Sequence, residues 1–166
     1  MADKDAREGA GCLRVVAVLE NRAHEVGVAA LDLGAPALFL SQSAETACFT
    51  NTLTLLQQHA PDVVITCSSA GTGSRLTQLL DKLFAGAARL VSLPRSSFDD
   101  TRGRSTVRLV ATDKDALARA GKSLYLAFAA ADACVRFCSE ELQLLVRLLD
   151  GRRAPAPHSK PTALLC

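Results

Sequence analysis

The chain has 166 residues, 49% hydrophobic and 22% charged, with a formal net charge of +2 at pH 7. That is one domain's worth of chain with enough apolar material for a core, but aromatics are 4% with no Trp, so the core has to be built from Leu, Val and Ala. The charge is too small to make the whole surface a nucleic-acid or membrane binder, and no window reaches the ~18–20 apolar residues of a bilayer span.

The start, Met1 to Gly11, is polar and mixed in charge, unlike an export signal, so a cytosolic or nuclear protein is expected. Leu13 to Leu19 is almost continuously apolar and reads as a central strand. Glu20-Asn21-Arg22 suits a hairpin turn, Val26 to Asp32 a second strand, Gly34-Ala35-Pro36 another turn, and Ala37 to Leu40 a third strand. The period then changes. Ser43 is placed to cap a helix with Glu45 in its first turn, and Phe49, Leu53, Leu56 and Ala60 form its apolar stripe before Pro61. Asp62 to Cys67 is a short buried strand, and Ser68 to Gly73 a small-residue loop. Leu76, Leu79, Leu80, Leu83 and Phe84 mark a helix ending at Gly86, and Arg89 to Leu93 a fifth strand broken by Pro94.

Arg95 to Arg108 is polar and irregular; a helix fits from about Asp100, although Gly103 weakens it. Leu124, Ala127, Phe128, Ala131, Val135 and Cys138, continued by Leu142, Leu145, Val146 and Leu149, make the longest apolar stripe. It fits one long helix, or two hinged at Ser139. The Pro- and Arg-rich tail after Gly151 has the composition of a disordered segment. A three-strand antiparallel meander, then β-α-β-α-β, then a long helix gives a ribonuclease-H-like α/β fold: a five-stranded mixed sheet in the order 3-2-1-4-5 with flanking helices. A doubly wound nucleotide-binding fold is the runner-up, disfavoured because such folds begin strand–helix–strand.

The chemistry-bearing motifs are weak. Gly121-Lys122-Ser123 resembles the end of a P-loop, but Ala116 stands where that motif needs glycine, and no strand leads into it. Gly71-Thr72-Gly73-Ser74 follows a buried strand and opens a helix, a geometry able to meet an anion, yet it has no lysine. Two-metal cleavage on such a sheet needs a carboxylate inside the first strand, and Leu13–Leu19 has none; Asp32 and Asp62 lie at strand ends. His59, at a helix end, suits the helix dipole better than a catalytic group. The six cysteines (Cys12, Cys48, Cys67, Cys134, Cys138, Cys166) lack CxxC spacing, and with only His24, His59 and His158 beside them no zinc ligand set emerges. Cys134 and Cys138 share one helix face as small fillers, so reduced structural thiols are expected. The one local basic feature is Arg95, Arg102, Arg104 and Arg108, a candidate contact with DNA or a protein partner, blunted by Asp99 and Asp100.

Val15 to Arg22 followed by Glu25 to Leu33 resembles the opening hairpin of the connector domain of the MutS family. Pro36 to Glu45 is similar to that domain's third strand and the entry to its first helix. Leu93 to Gly103 and Lys122 to Ala130 match its later loop and Ala-rich helix. The resemblance covers about residues 13–150 and is closest to the meiosis-specific branch of the family. It implies a connector domain at 13–150; the polar N-terminus at 1–12 and the Pro/Arg-rich tail at 151–166, which lie outside it, are expected to be disordered. It further implies a non-catalytic domain linking DNA-binding and ATPase parts, and a nuclear protein. Its partners would be a sister MutS-homologue subunit in a heterodimer and, through the full-length protein, recombination intermediates or mismatched DNA, with no membrane. ATP and Mg belong to the family's ATPase domain, whose P-loop the resemblance does not reach, so no cofactor is expected here. The reading from a different class is a small nucleotide-binding or hydrolytic protein using Gly71–Ser74.

Overall fold

Five strands form one mixed sheet in the order β3-β2-β1-β4-β5: β1 (Arg14–Glu20), β2 (Glu25–Asp32), β3 (Ala37–Ala44), β4 (Val63–Ser68) and β5 (Arg89–Pro94). β1, β2 and β3 pair antiparallel, whereas β4 lies parallel to β1 and β5 parallel to β4. This is the topology expected from the sequence. The computed structural model describes residues 13–35, 37–68, 73–111, 117–119 and 123–149. The expected disordered ends, the P-loop-like residues Ala116, Gly121 and Lys122, and Gly71 and Thr72 of the small-residue loop lie outside these residues.

Local chemistry sets the first hairpin. The Asn21 Oδ1 accepts from the backbone N–H groups of Ala23 (2.8 Å) and Glu25 (2.9 Å), and His24 takes the left-handed conformation with φ 57°. The strands then alternate as a sheet covered on both faces must. Val15, Ala17, Leu19, Ala29 and Ile65 face one core, and Val16, Val18, Val28, Ala30 and Val64 face the other. Helices α1 (Thr50–His59) and α2 (Arg75–Phe84) cover the second face, with Leu56, Leu76, Leu80 and Phe84 buried against it. Leu83, placed on the same stripe by spacing, is 51% exposed. Helices α3 (Asp100–Val110) and α4 (Tyr125–Leu149) lie on the first face.

Helix α1 begins later than the sequence indicates. Ser43 belongs to β3, which runs on to Ala44, and Phe49 is the N-cap residue, left-handed at φ 51° with no side-chain cap of its own. Glu45 supplies the cap from outside: its Oε1 accepts from both the backbone N–H and the hydroxyl of Thr52, each at 2.7 Å. Thr52 is 1% exposed, so Glu45→Ala leaves two buried donors unsatisfied. A loss of about 2 kcal/mol in urea-denaturation stability is expected.

Helix α4 is one continuous helix of 25 residues, with no break at Ser139, whose hydroxyl donates to the Val135 carbonyl. From Leu126 to Cys134 it is buried around its whole circumference, because the sheet lies beneath it and α3 beside it. Two glycines allow that closeness. A Cβ on Gly27 of β2 would lie 2.3 Å from the Leu126 carbonyl carbon, and one on Gly103 of α3 would lie 1.8 Å from the Phe128 carbonyl oxygen. The Gln42 Oε1 accepts from the Leu126 N–H at 2.9 Å, satisfying one of the first-turn donors of α4.

Cys134 and Cys138 face the core as expected. The Cys134 thiol reaches the carbonyls of Val15 (3.7 Å) and Ala29 (3.4 Å). Burial pushes both thiols up, Cys138 to about 11 and Cys134 further. The sign of the pH effect follows. Above the ordinary thiol value the unfolded chain releases protons that the folded chain retains, so stability falls as pH rises from about 9. The Cys134 thiol alone should lower unfolding free energy by about 1.4 kcal/mol per pH unit there, and Cys134→Ala should flatten that slope in denaturation curves taken up to pH 10.

Candidate interaction surface

The four arginines singled out in the sequence sit on the turn and helix that follow β5, and they are not equivalent. After Pro94 the chain makes one 3-10 turn (Arg95–Ser97) and buries Phe98, which is 4% exposed. Asp99 then caps α3, accepting from the Arg102 N–H at 2.9 Å. That backbone hydrogen bond, with the Arg102 charge assisting, holds the Asp99 carboxyl below its ordinary value.

Arg102 turns inward. Its Nη2 lies 2.9 Å and its Nε 3.3 Å from the Asp132 Oδ2, which also accepts from the Asp99 N–H at 3.3 Å. Asp132 is 4% exposed, a buried carboxylate in the middle of the apolar part of α4, so this ion pair ties α3 to α4. Arg95 donates from Nη1 to the Phe98 carbonyl at 2.7 Å and is exposed. The Arg104 guanidinium lies 5.1 Å from the Phe128 ring centroid, over its face, and Arg108 is exposed on the next turn. Arg136 joins Arg102 across a shallow groove between α3 and α4 that also includes Thr101, Ser105 and Thr106. Sequence reasoning missed Asp132 and Arg136. The signal was present as the single carboxylate in the Leu126–Cys134 run, at a position that has to be buried.

The other sequence candidates disperse. Asp62 accepts from the Arg14 N–H at 2.8 Å, tying the start of β4 to that of β1, and Asp32 closes the turn after β2 by accepting from the N–H groups of Gly34 (2.8 Å) and Ala35 (3.2 Å). His59 ends α1 with its ring 4.8 Å from that of Phe39. Ser74 is the N-cap of α2, accepting from the Thr77 N–H. The interior of β1, Val15–Leu19, is wholly apolar, and Glu20 at its end lies 3.8 Å from His24, so these residues do not fit a two-metal nuclease centre. Among the described residues no cluster of three or more His, Cys, Asp or Glu forms, and no helix is long and apolar enough to cross a membrane.

No family model matches the chain. It is 35% identical over 139 residues to the DNA mismatch repair protein MSH4 of Arabidopsis thaliana, across 80% of its own length, and 28% identical over 130 residues to MutS protein homolog 4 of Mus musculus. The chain is a relative of the MutS homologue 4 proteins. It spans 17% of the length of the Arabidopsis protein and 14% of that of the mouse protein. Among solved structures, this MutS homologue 4 relative superimposes on the fowlpox virus resolvase in complex with Holliday junction DNA, with a TM-score of 0.55 and 12% identity. The match covers 78% of this chain and 99% of the resolvase. T. thermophilus RuvC in complex with its Holliday junction substrate gives 0.50 and 11%, covering 77% and 96%. At such identities the likeness is one of fold, and the fold of this MutS homologue 4 relative is ribonuclease-H-like, as its sequence pattern indicated.

Proposed function

We propose that this chain acts as the non-catalytic connector of a MutS-family protein of meiotic recombination or mismatch repair, in the nucleus. The observation that carries the reading is the 35% identity to a MutS homologue 4 across 80% of the chain. The β1 interior, which lacks a catalytic carboxylate, supports it. A connector is expected to act mechanically, by holding neighbouring domains and a partner subunit in register, and the pinning of α3 to α4 by the Arg102–Asp132 pair gives it the stiffness to do so. The proposed boundaries of this connector domain are 13–150. The chemistry of ATP and Mg is assigned to the family's ATPase domain and to no residue of this chain.

The contact surface is assigned to the arginine-bearing side of the 3-10 turn and α3, comprising Arg95, Arg102, Arg104 and Arg108. The partners are a sister MutS-homologue subunit and, through the full-length protein, recombination intermediates or mismatched DNA. Capture of the sister subunit by the folded chain is the expected result, weakened by Arg95→Glu with Arg108→Glu; failure of the correctly folded chain to capture it would overturn the reading. Calorimetry with ATP should show no saturable binding. A saturable heat abolished by Gly73→Val would point instead to the nucleotide-binding alternative.

A further inference from the structure

A cleft of about 440 Å³ opens at the carboxyl ends of β1 and β4. These neighbours are parallel, yet the chain leaves β1 toward β2 and leaves β4 toward β5, on opposite sides. A parting of this kind is where open α/β sheets seat ligands. Four hydroxyls line it: Thr66 of β4, Ser74 and Thr77 at the start of α2, and Tyr125, which donates to the Glu25 Oε2. Ser74 and Thr77 lie 3.2 Å apart, oxygen to oxygen, beside the positive end of the ten-residue α2.

Thr66 provides the second, independent observation. It is 6% exposed, it lines the cleft, and its hydroxyl has no hydrogen-bond partner among the described residues. The hydroxyl oxygen keeps contact with solvent, so it can exchange water for an incoming oxygen. Arg22 and Arg95 stand at the same cleft. The Arg95 charge is close enough to Cys67 to oppose the upward push of burial on that thiol. Glu20 also lines the cleft, 3.8 Å from His24, so the two arginines have to outweigh its charge; the Glu25 Oε2 accepts from the Asn21 amide (2.7 Å) and the Tyr125 hydroxyl (3.2 Å).

We propose that this cleft binds one phosphate group, held by the Thr66 hydroxyl and the Ser74–Thr77 start of α2, with Arg22 and Arg95 supplying the charge. The group is either a backbone phosphodiester of single-stranded DNA or free phosphate, and the site does not depend on the chain meeting a partner subunit.

The test is a pair of titrations of the isotope-labelled full chain by amide NMR, one with inorganic phosphate and one with a short single-stranded oligonucleotide. Saturable shifts centred on Thr66, Ser74 and Thr77 are expected. Oligonucleotide shifts without phosphate shifts identify a phosphodiester; the reverse identifies the free anion. Thr66→Val should weaken binding about tenfold with little change in melting temperature, because the hydroxyl makes no hydrogen bond to the described residues. Arg22→Gln, on an exposed side chain, should weaken binding and reduce its salt dependence without affecting folding. Silence in both titrations, shifts scattered over the surface, or unchanged affinity in a folded Thr66→Val chain would overturn the proposal. Capture of the sister subunit by the Thr66→Val chain should be unaffected, so failure here is distinguishable from failure of the connector reading.

Discussion

Gly103→Ala is expected to destabilise the chain by about 3 kcal/mol or more, the upper range for overpacking. Helix propensity alone predicts the opposite sign, a gain of ~1 kcal/mol, because alanine is the better helix former. Contact geometry decides between them. The new methyl would lie 1.8 Å from the Phe128 carbonyl oxygen and 2.7 Å from its carbonyl carbon. Both are backbone atoms of a buried helix, so no side chain can rotate out of the way. Helix α3 would have to lift from α4, opening the packing of Val107 and Phe98 and stretching the Arg102–Asp132 pair. Urea denaturation of the two chains measures the difference, and a stabilised variant would show that α3 and α4 cross with room for a methyl group.

The second large effect is expected at Arg102. Arg102→Ala removes the cation from a carboxylate whose side chain is only 6% exposed, and Asp132 is left with the Asp99 N–H as its remaining donor. Breaking a fully buried pair costs ~3–5 kcal/mol; the Arg102 side chain is 52% exposed, so about 2 kcal/mol is expected. The converse change is milder. Asp132→Ala returns Arg102 to water and leaves one backbone donor short, a loss of about 1 kcal/mol. The double variant should cost less than the sum of the two, because the isolated buried charge no longer exists. Equal losses from both single variants would show that the pair acts as a surface contact.

These two sites also mark where sequence reasoning stops. The sheet was legible: the Asn21 turn, the apolar run Val15–Leu19 and the switch from period two to helical spacing after β3 each carry their own local physics, and together they leave few topologies. Gly103 was not. In a propensity scale it weakens a helix, and only the approach of Phe128 explains why nothing larger fits. The start of α1 was misplaced for a similar reason, since its cap is Glu45, seven residues before Thr52 and outside the helix. Asp132 was passed over because an amphipathic reading assigns a lone carboxylate to solvent, whereas the Leu126–Cys134 stretch has no solvent face. In the candidate surface the arginines were visible as a cluster, but their division between inward and outward roles depends on a residue thirty positions away.

The position of α4 has a consequence for how the chain is made. Asn21 bonds Tyr125 across 104 residues, and Cys134 meets Val15 across 119. The first core therefore closes between β1 and α4, and until α4 has left the ribosome Val15, Ala17, Leu19 and Ala29 lack its cover. Such long-range closure slows folding and leaves apolar sheet surface open to association meanwhile. A nascent chain stopped before about Phe137 should accordingly be held by chaperones, and it should be released once the last turns of the buried stretch are added.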